Sequence, residues 1–266
     1  MEYDDAFDFF LHCLPNIQRS IVPLYKTNQK PGRLPEFVGS SVYCQFGPFV
    51  MLLTAGHVLG AILPDNAIYP QPLNEDIGEP VSARTPMLRA RVEMRGVPFE
   101  RYALARDEKE DSGIIQLKSR LPWWTPIASE GFSQFDSREE YQHILVGYPA
   151  SSTRGSVRSN LRIEIKGYLT SAAPDKPYSD LRADPTRQLV VLFKKEKASG
   201  KNRTRVTFPD PYGMSGGAVL QFHEKAPQKQ SLVGIMTDWR NGAIVATRIE
   251  SITQKFRVTR VDGSTS

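Results

Sequence analysis

Three short stretches of the chain hold side chains suited to nucleophilic chemistry. Ser215 stands among three glycines in Tyr212-Gly213-Met214-Ser215-Gly216-Gly217-Ala218-Val219. Glycine is entropically costly inside a strand or helix, so this stretch suits a tight turn that presents a hydroxyl and main-chain N–H groups together. A plain glycine-rich hairpin would use the same letters. His57 follows an apolar run in Thr54-Ala55-Gly56-His57-Val58-Leu59; alone it reads as a packed core residue. Asp111 stands where the charged run from Arg106 gives way to the apolar residues 114–117, a place that also suits a turn or cap aspartate.

Taken together, the three make chemical sense. A serine hydroxyl is a weak nucleophile at neutral pH and needs a base within hydrogen-bond reach. An imidazole can take its proton, and a carboxylate on the other ring nitrogen fixes the tautomer and stabilises the imidazolium. The oxyanion that follows needs fixed donors, for which the N–H groups of Gly213 and Ser215 are well placed. Asp107, Glu108 and Glu110 compete with Asp111 for the acid role. Asp111 is preferred because it abuts the apolar strand, whereas the others fall in the wetter, more mobile part of the loop. His12, His143 and His223 have no metal-ligand spacing with one another or with Cys13 and Cys44, so no metal and no cofactor is expected.

The elements that must position these groups are mostly strands. A short amphipathic helix is expected over 5–14, with Phe7, Phe10, Leu11 and Leu14 on one face, Asp4 and Asp5 at its start and Pro15 at its end. Strands follow at 17–25, 37–46 and 49–53, the last two joined by a Gly47-Pro48 turn. Residues 60–100 are proline-rich loop, with strands expected at 89–94, 100–104 and 114–117. A connector over 122–140 leads to a second half with strands at 141–148, 157–169, 188–195, 203–208, 218–222, 232–237 and 243–247. Ser199-Gly200-Lys201-Asn202 reads as a hairpin tip, and Ile249, Ile252 and Phe256 mark a closing helix.

Composition sets outer bounds. Lys and Arg number 34 against 29 Asp and Glu, a net charge of +5 that is too mild to mark a nucleic-acid binder. The run Lys194, Lys195, Lys197, Lys201, Arg203, Arg205 reads as a solvated hairpin tip, or more sharply as a docking surface for an acidic partner or for nucleic acid, marked by steep salt dependence. Only two cysteines occur, and the start Met1-Glu2-Tyr3-Asp4-Asp5 is acidic where a signal peptide has a basic region. No apolar run is long enough to span a membrane. These features point to a soluble, cytoplasmic protein with no membrane association.

Thr54-Ala55-Gly56-His57-Val58, Asp111-Ser112-Gly113-Ile114-Ile115-Gln116-Leu117 and Gly213-Met214-Ser215-Gly216-Gly217 resemble the three signature blocks of chymotrypsin-like (trypsin-like) serine peptidases. The resemblance covers roughly 17–257 and is thin between the blocks. It implies an all-β fold of two six-stranded antiparallel β-barrels with short N- and C-terminal helices. The first barrel (17–125) would carry His57 and Asp111 and the second (126–247) Ser215, flanked by a helix in 1–16 and a helix with a tail in 248–266. By resemblance His57 is the general base, Asp111 the orienting acid and Ser215 the nucleophile, with Gly213 and Ser215 as the oxyanion hole. The specificity pocket would be walled by 209–212, 236–239 and the strand from Ala243, with Tyr212, Thr237 and Asp238 beside the substrate. Asp210 or Asp238 could favour a basic side chain there, although each also suits a solvated turn.

One departure matters. Members activated by cleavage pair a new N-terminus with an aspartate just before the serine, and here that residue is Met214. The pattern is closer in style to bacterial intracellular and HtrA-like peptidase domains without a PDZ domain. The letters Gly-x-Ser-x-Gly also fit the nucleophile elbow of α/β-hydrolases, but that fold needs its acid and histidine after the serine. Downstream of Ser215 only His223 occurs, too close to serve. Two expectations follow: a serine endopeptidase that acts on protein or peptide substrates through an acyl-enzyme, or a protease-fold binding or scaffold module. A regulatory protein partner is left open by both.

Overall fold

The computed structural model describes residues 17–26, 35–62, 67–72, 94–98, 101–152, 165–173, 176–199 and 205–259. The helix expected over 5–14 and most of the strands expected over 89–94 and 157–169 lie outside them. Three strands open the described chain: β1 (Ile21–Lys26), β2 (Glu36–Phe46) and β3 (Phe49–Ala55). The first starts later than expected because residues 17–18 are helical and 19–20 turn, with Ser20 N–H donating to Ile17 O at 2.9 Å. The Gly47-Pro48 turn joins β2 to β3, with Gly47 at φ +54. After α1 (Gly56–Ile62) come β4 (Ala67–Pro72), β5 (Met94–Pro98), β6 (Arg101–Asp107), β7 (Ser112–Leu117) and β8 (Ile127–Ala128).

These eight strands form one sheet, in the order β5-β4-β1-β2-β3-β7-β6 with β8 added beside β2. The pairing is antiparallel except for β8, which runs parallel to β2 through Cys44 and Gln45. The outer strands β5 and β6 are consecutive in the chain. Only two residues separate Pro98 from Arg101, so the ends of the sheet lie within about 11 Å of each other and the sheet must curl. No ladder joins these two edges among the described residues. Pro70, Pro72 and Pro98 in β4 and β5 lack the N–H that ladder bonds need, as befits strands at a margin.

The second half contributes β9 (Tyr141–Gly147), β10 (Lys166–Ser171), β11 (Gln188–Leu192), β12 (Ala198–Ser199), β13 (Arg205–Val206), β14 (Ala218–His223), β15 (Ala226–Arg240) and β16 (Ala243–Arg248). Six of these make a second antiparallel sheet, β10-β9-β14-β15-β16-β11, while β12 and β13 pair as a separate ribbon. Its edge strands come together at a single bridge, Ala172 with Val191, reinforced where Thr170 Oγ1 donates to Leu192 O at 2.5 Å. The all-β class expected from the sequence holds, and in place of two six-stranded barrels the described residues form an eight-stranded curled sheet and a six-stranded sheet, with no continuous ladder closing either among them. Two further α-helices follow among the described residues, α2 (Lys176–Asp180) and the longer α3 (Ile249–Thr259). Of the strand expected over 203–208, residues 203–204 lie outside the described residues and 205–206 form β13, while Phe208 turns into the core against Phe193 and Tyr168.

The largest core is shared by the two sheets. Ile21, Val42, Met51 and Leu53 from the first pack with Ile144, Val146, Leu220 and Phe222 from the second, and α3 seals this core with Ile249 and Ile252. Each fully buried aliphatic side chain of this kind contributes about 1.5–3 kcal/mol relative to exposure. This common apolar layer fixes the two sheets against each other and so fixes the groups at their junction.

Candidate active site

His57 is placed by the end of β3. The strand delivers Thr54 and Ala55 into the interior, and α1 begins at once, burying Val58, Leu59 and Ile62 on one face. That leaves His57 on the other face with its side chain about half exposed. Asp111 comes from the turn between β6 and β7. Asp107 Oδ1 accepts from Glu110 N–H at 2.9 Å, which tightens the turn, and Asp111 closes it at φ +48, a left-handed conformation that aspartate tolerates. The neighbouring Glu110 is not part of a mobile charged loop as the sequence suggested. It is buried, with its carbonyl accepting from Thr247 Oγ1 and its carboxylate 3.6 Å from the Arg187 guanidinium.

The Asp111 carboxylate meets His57 twice. Oδ2 lies 2.8 Å from the imidazole Nδ1 and Oδ1 accepts from the His57 main-chain N–H at 2.8 Å. Gly56 N–H also donates to the Asp111 carbonyl at 2.8 Å. A Cβ on Gly56 would stand 3.0 Å from Asp111 Oδ1, so the absent side chain makes room for this approach. The bond to Asp111 is the largest influence holding the imidazole above its ordinary pKa; partial burial opposes it, the charges of Asp111 and Asp238 add to it, and Arg106 subtracts. With its Nδ1 engaged, the ring presents Nε2 away from the carboxylate.

Ser215 sits in the turn that precedes β14, docked on the first sheet. Ser40 N–H donates to Ser215 O at 2.8 Å and Ser40 Oγ to Gly213 O at 3.0 Å. Gly216, at φ +86, lies so close to Ser40 O and Thr54 Oγ1 that a Cβ there would collide with both. The Ser215 hydroxyl donates to Thr237 O at 3.4 Å, and no hydrogen bond joins it to His57 among the described residues. Thus the structure pairs His57 with Asp111 and brings the Ser215 turn onto the same strands, but leaves the serine hydroxyl on Thr237.

The donors expected for an oxyanion are oriented from behind. In a trans peptide the C=O and N–H point in opposite directions. Tyr212 O accepts from Ala150 N–H at 2.7 Å and Met214 O from Gly217 N–H at 2.8 Å. Each bond anchors the carbonyl of the peptide whose N–H belongs to Gly213 or Ser215. Neither of these two N–H groups donates to a protein acceptor among the described residues. Met214 is buried in the second sheet's core, so the position preceding the serine anchors the turn by apolar packing, with no charge.

The expected pocket walls carry paired charges. Asp210 Oδ1 lies 2.8 Å from Lys195 Nζ, and that ammonium sits 5.9 Å from the centre of the Trp239 ring. Asp238 Oδ2 is 3.0 Å from Arg240 Nε, and its Oδ1 accepts from Trp239 N–H at 2.7 Å. Each carboxylate already faces a cation. Tyr212 and Trp239 are the exposed large hydrophobic side chains of the described residues; Tyr212 precedes the Ser215 turn in sequence, and Trp239 follows Thr237, whose carbonyl meets the Ser215 hydroxyl, by two residues. The sequence reading missed Ser40 and Ala150 and gave Thr54 no role of its own; the signal for Ser40 and Thr54 was small polar residues, with Ser41, in otherwise apolar buried strands.

Among the described residues no group of His, Cys, Asp and Glu gathers to hold a metal, and no helix is long and apolar enough to cross a membrane. In comparisons with known proteins, no family model matches the chain, and no curated protein matches it.

Proposed function

We propose that the chain is a chymotrypsin-like serine peptidase that hydrolyses peptide bonds through an acyl-enzyme on Ser215. His57 takes the hydroxyl proton and later passes it to the leaving amine, Asp111 holds the imidazole in the tautomer protonated on Nδ1, and the N–H groups of Gly213 and Ser215 receive the oxyanion. The observation that carries this reading is the two-point grip of Asp111 on His57 beside a turn whose paired N–H groups are aimed by bonds on their carbonyls. For the serine to react, its hydroxyl must leave Thr237 O and reach His57 Nε2.

A second reading has one observation in its favour. The Ser215–Thr237 bond is what a latent or inactive protease-fold binding module would keep permanently. Labelling by a fluorophosphonate separates the two: the wild type is expected to label and Ser215→Ala is not. A folded wild type that takes up no label would leave the binding module as the better account. Protein or peptide substrates, a regulatory protein partner and a cytoplasmic setting belong to the same proposal. The setting is supported by the low cysteine count and by Cys44, a buried free thiol.

A further inference from the structure

On the reading of this site as a peptidase, we infer that Asp238 gates the strand edge that receives an extended substrate, because its carboxylate occupies the one N–H that a substrate carbonyl must take.

The edge is defined by where pairing stops. β15 is paired with β14 as far as Ile235, and the last rungs are Met236 N–H to Gly217 O and Gly216 N–H to Met236 O, at 2.8 and 2.7 Å. Beyond them no strand lies on that side of β15 among the described residues. The other side stays paired with β16 up to a two-residue turn, Asn241-Gly242, whose φ values are +50 and +73, as a type I′ hairpin requires. In such a hairpin the pair flanking the turn, Arg240 with Ala243, exchanges hydrogen bonds and the next pair, Trp239 with Ile244, does not. The main-chain N–H and C=O of Trp239 therefore face the open edge.

An extended peptide added to this edge would pair by its main chain. With its scissile carbonyl at Ser215, whose hydroxyl touches Thr237 O, the substrate residue two positions before reaches Trp239, since alternate residues face the same way along a strand. Its carbonyl needs the Trp239 N–H. In the resting chain that N–H is already given to Asp238 Oδ1 at 2.7 Å, and Arg240 Nε holds the other carboxylate oxygen at 3.0 Å. Substrate and carboxylate compete for one donor. A substrate too short to reach Trp239 meets no such competition.

The test compares two activated esters: p-nitrophenyl acetate, which reaches only Ser215, and the p-nitrophenyl ester of acetyl-trialanine, which spans to Trp239. The quantity read is the ratio of their kcat/KM values, from which any effect of Asp238 on His57 cancels. Asp238→Ala is expected to raise that ratio about tenfold, the scale of one charge-assisted hydrogen bond removed from competition. Asp238→Asn, which keeps an acceptor oxygen, should fall between it and the wild type. Arg240→Ala, which removes the cation holding the carboxylate, should move the ratio in the same direction by less, and serves if Asp238→Ala does not fold. An unchanged or lowered ratio, in variants that still hydrolyse the acetate, overturns the gate alone. A wild type that hydrolyses neither ester overturns the peptidase reading and the gate with it.

Discussion

Asp111 holds His57 by two atoms of one carboxylate, one oxygen on the imidazole and the other on the main-chain N–H of the same residue. The ring is thereby fixed in position and in tautomer by a single side chain, itself locked in a left-handed turn.

Asp111→Asn should keep the fold and lose the chemistry. An amide can retain one of the two contacts but presents an N–H where the other acceptor stood. The expected fall in kcat is about 10⁴-fold, with circular dichroism and melting temperature near those of the wild type. Turnover close to the wild-type value would move the acid role to another residue.

The pH profile carries a sign. His57 must be neutral to act as a base, and Asp111 raises its pKa. kcat/KM should therefore climb with pH along a limb whose midpoint lies above the ordinary histidine value of about 6.5. Folding stability runs the other way. The charged imidazole stabilises the fold below the ordinary pKa, and that contribution is lost as pH rises through the raised one. In Asp111→Asn the limb should move to lower pH; a limb that stays put would mean another group sets it.

Much of this site was legible as letters because the chemistry constrains residue type. His57, Asp111 and Ser215 each sit at a strand end next to glycine or a charged run, where a polar side chain needs explaining. The sheet count was harder to read. β8 is two residues long and pairs parallel to β2, a contact without periodicity to announce it. Glu110 was misjudged because its surroundings in sequence are charged, while its cover comes from Thr247 and Arg187, far along the chain. The capping of Trp239 by Asp238 depends on a bulge at Thr237 and a two-residue turn, and neither sets a residue type that points to it.

Gly216→Ala should be among the most damaging single-methyl changes. It adds strain at φ +86 and drives a methyl into Ser40 O and Thr54 Oγ1. A loss of at least about 3 kcal/mol is expected, read as a fall of roughly 10 °C in melting temperature. A variant melting within about two degrees of the wild type would show that the turn can relax without harm.

His143 gives stability its own pH dependence. It lies fully buried on β9 against Phe135, with neither ring nitrogen in a good hydrogen bond, although Asp136 and Gln221 lie close. Burial is the main cause that lowers its pKa to about 4. The unfolded chain binds the proton more readily, so stability is full above about pH 6.5 and falls as pH drops toward 4, by about 3 kcal/mol. Urea unfolding at pH 7 and pH 4.5 measures this, and His143→Leu should flatten the difference. An equal loss in both proteins would assign the acid sensitivity to other groups.

Ser40 belongs to β2, yet its N–H and hydroxyl hold the carbonyls of Ser215 and Gly213, and the same hydroxyl accepts from Tyr148 N–H at 3.0 Å. The nucleophile turn is thus shaped by a strand made some 170 residues earlier in the chain. During synthesis His57 and Asp111 emerge before Ser215, since both belong to the first sheet and its connections. The serine arrives late and finds its conformation only by docking on a finished first sheet. On the proposed function, a half-made chain, or one whose two sheets part, would hold no assembled centre.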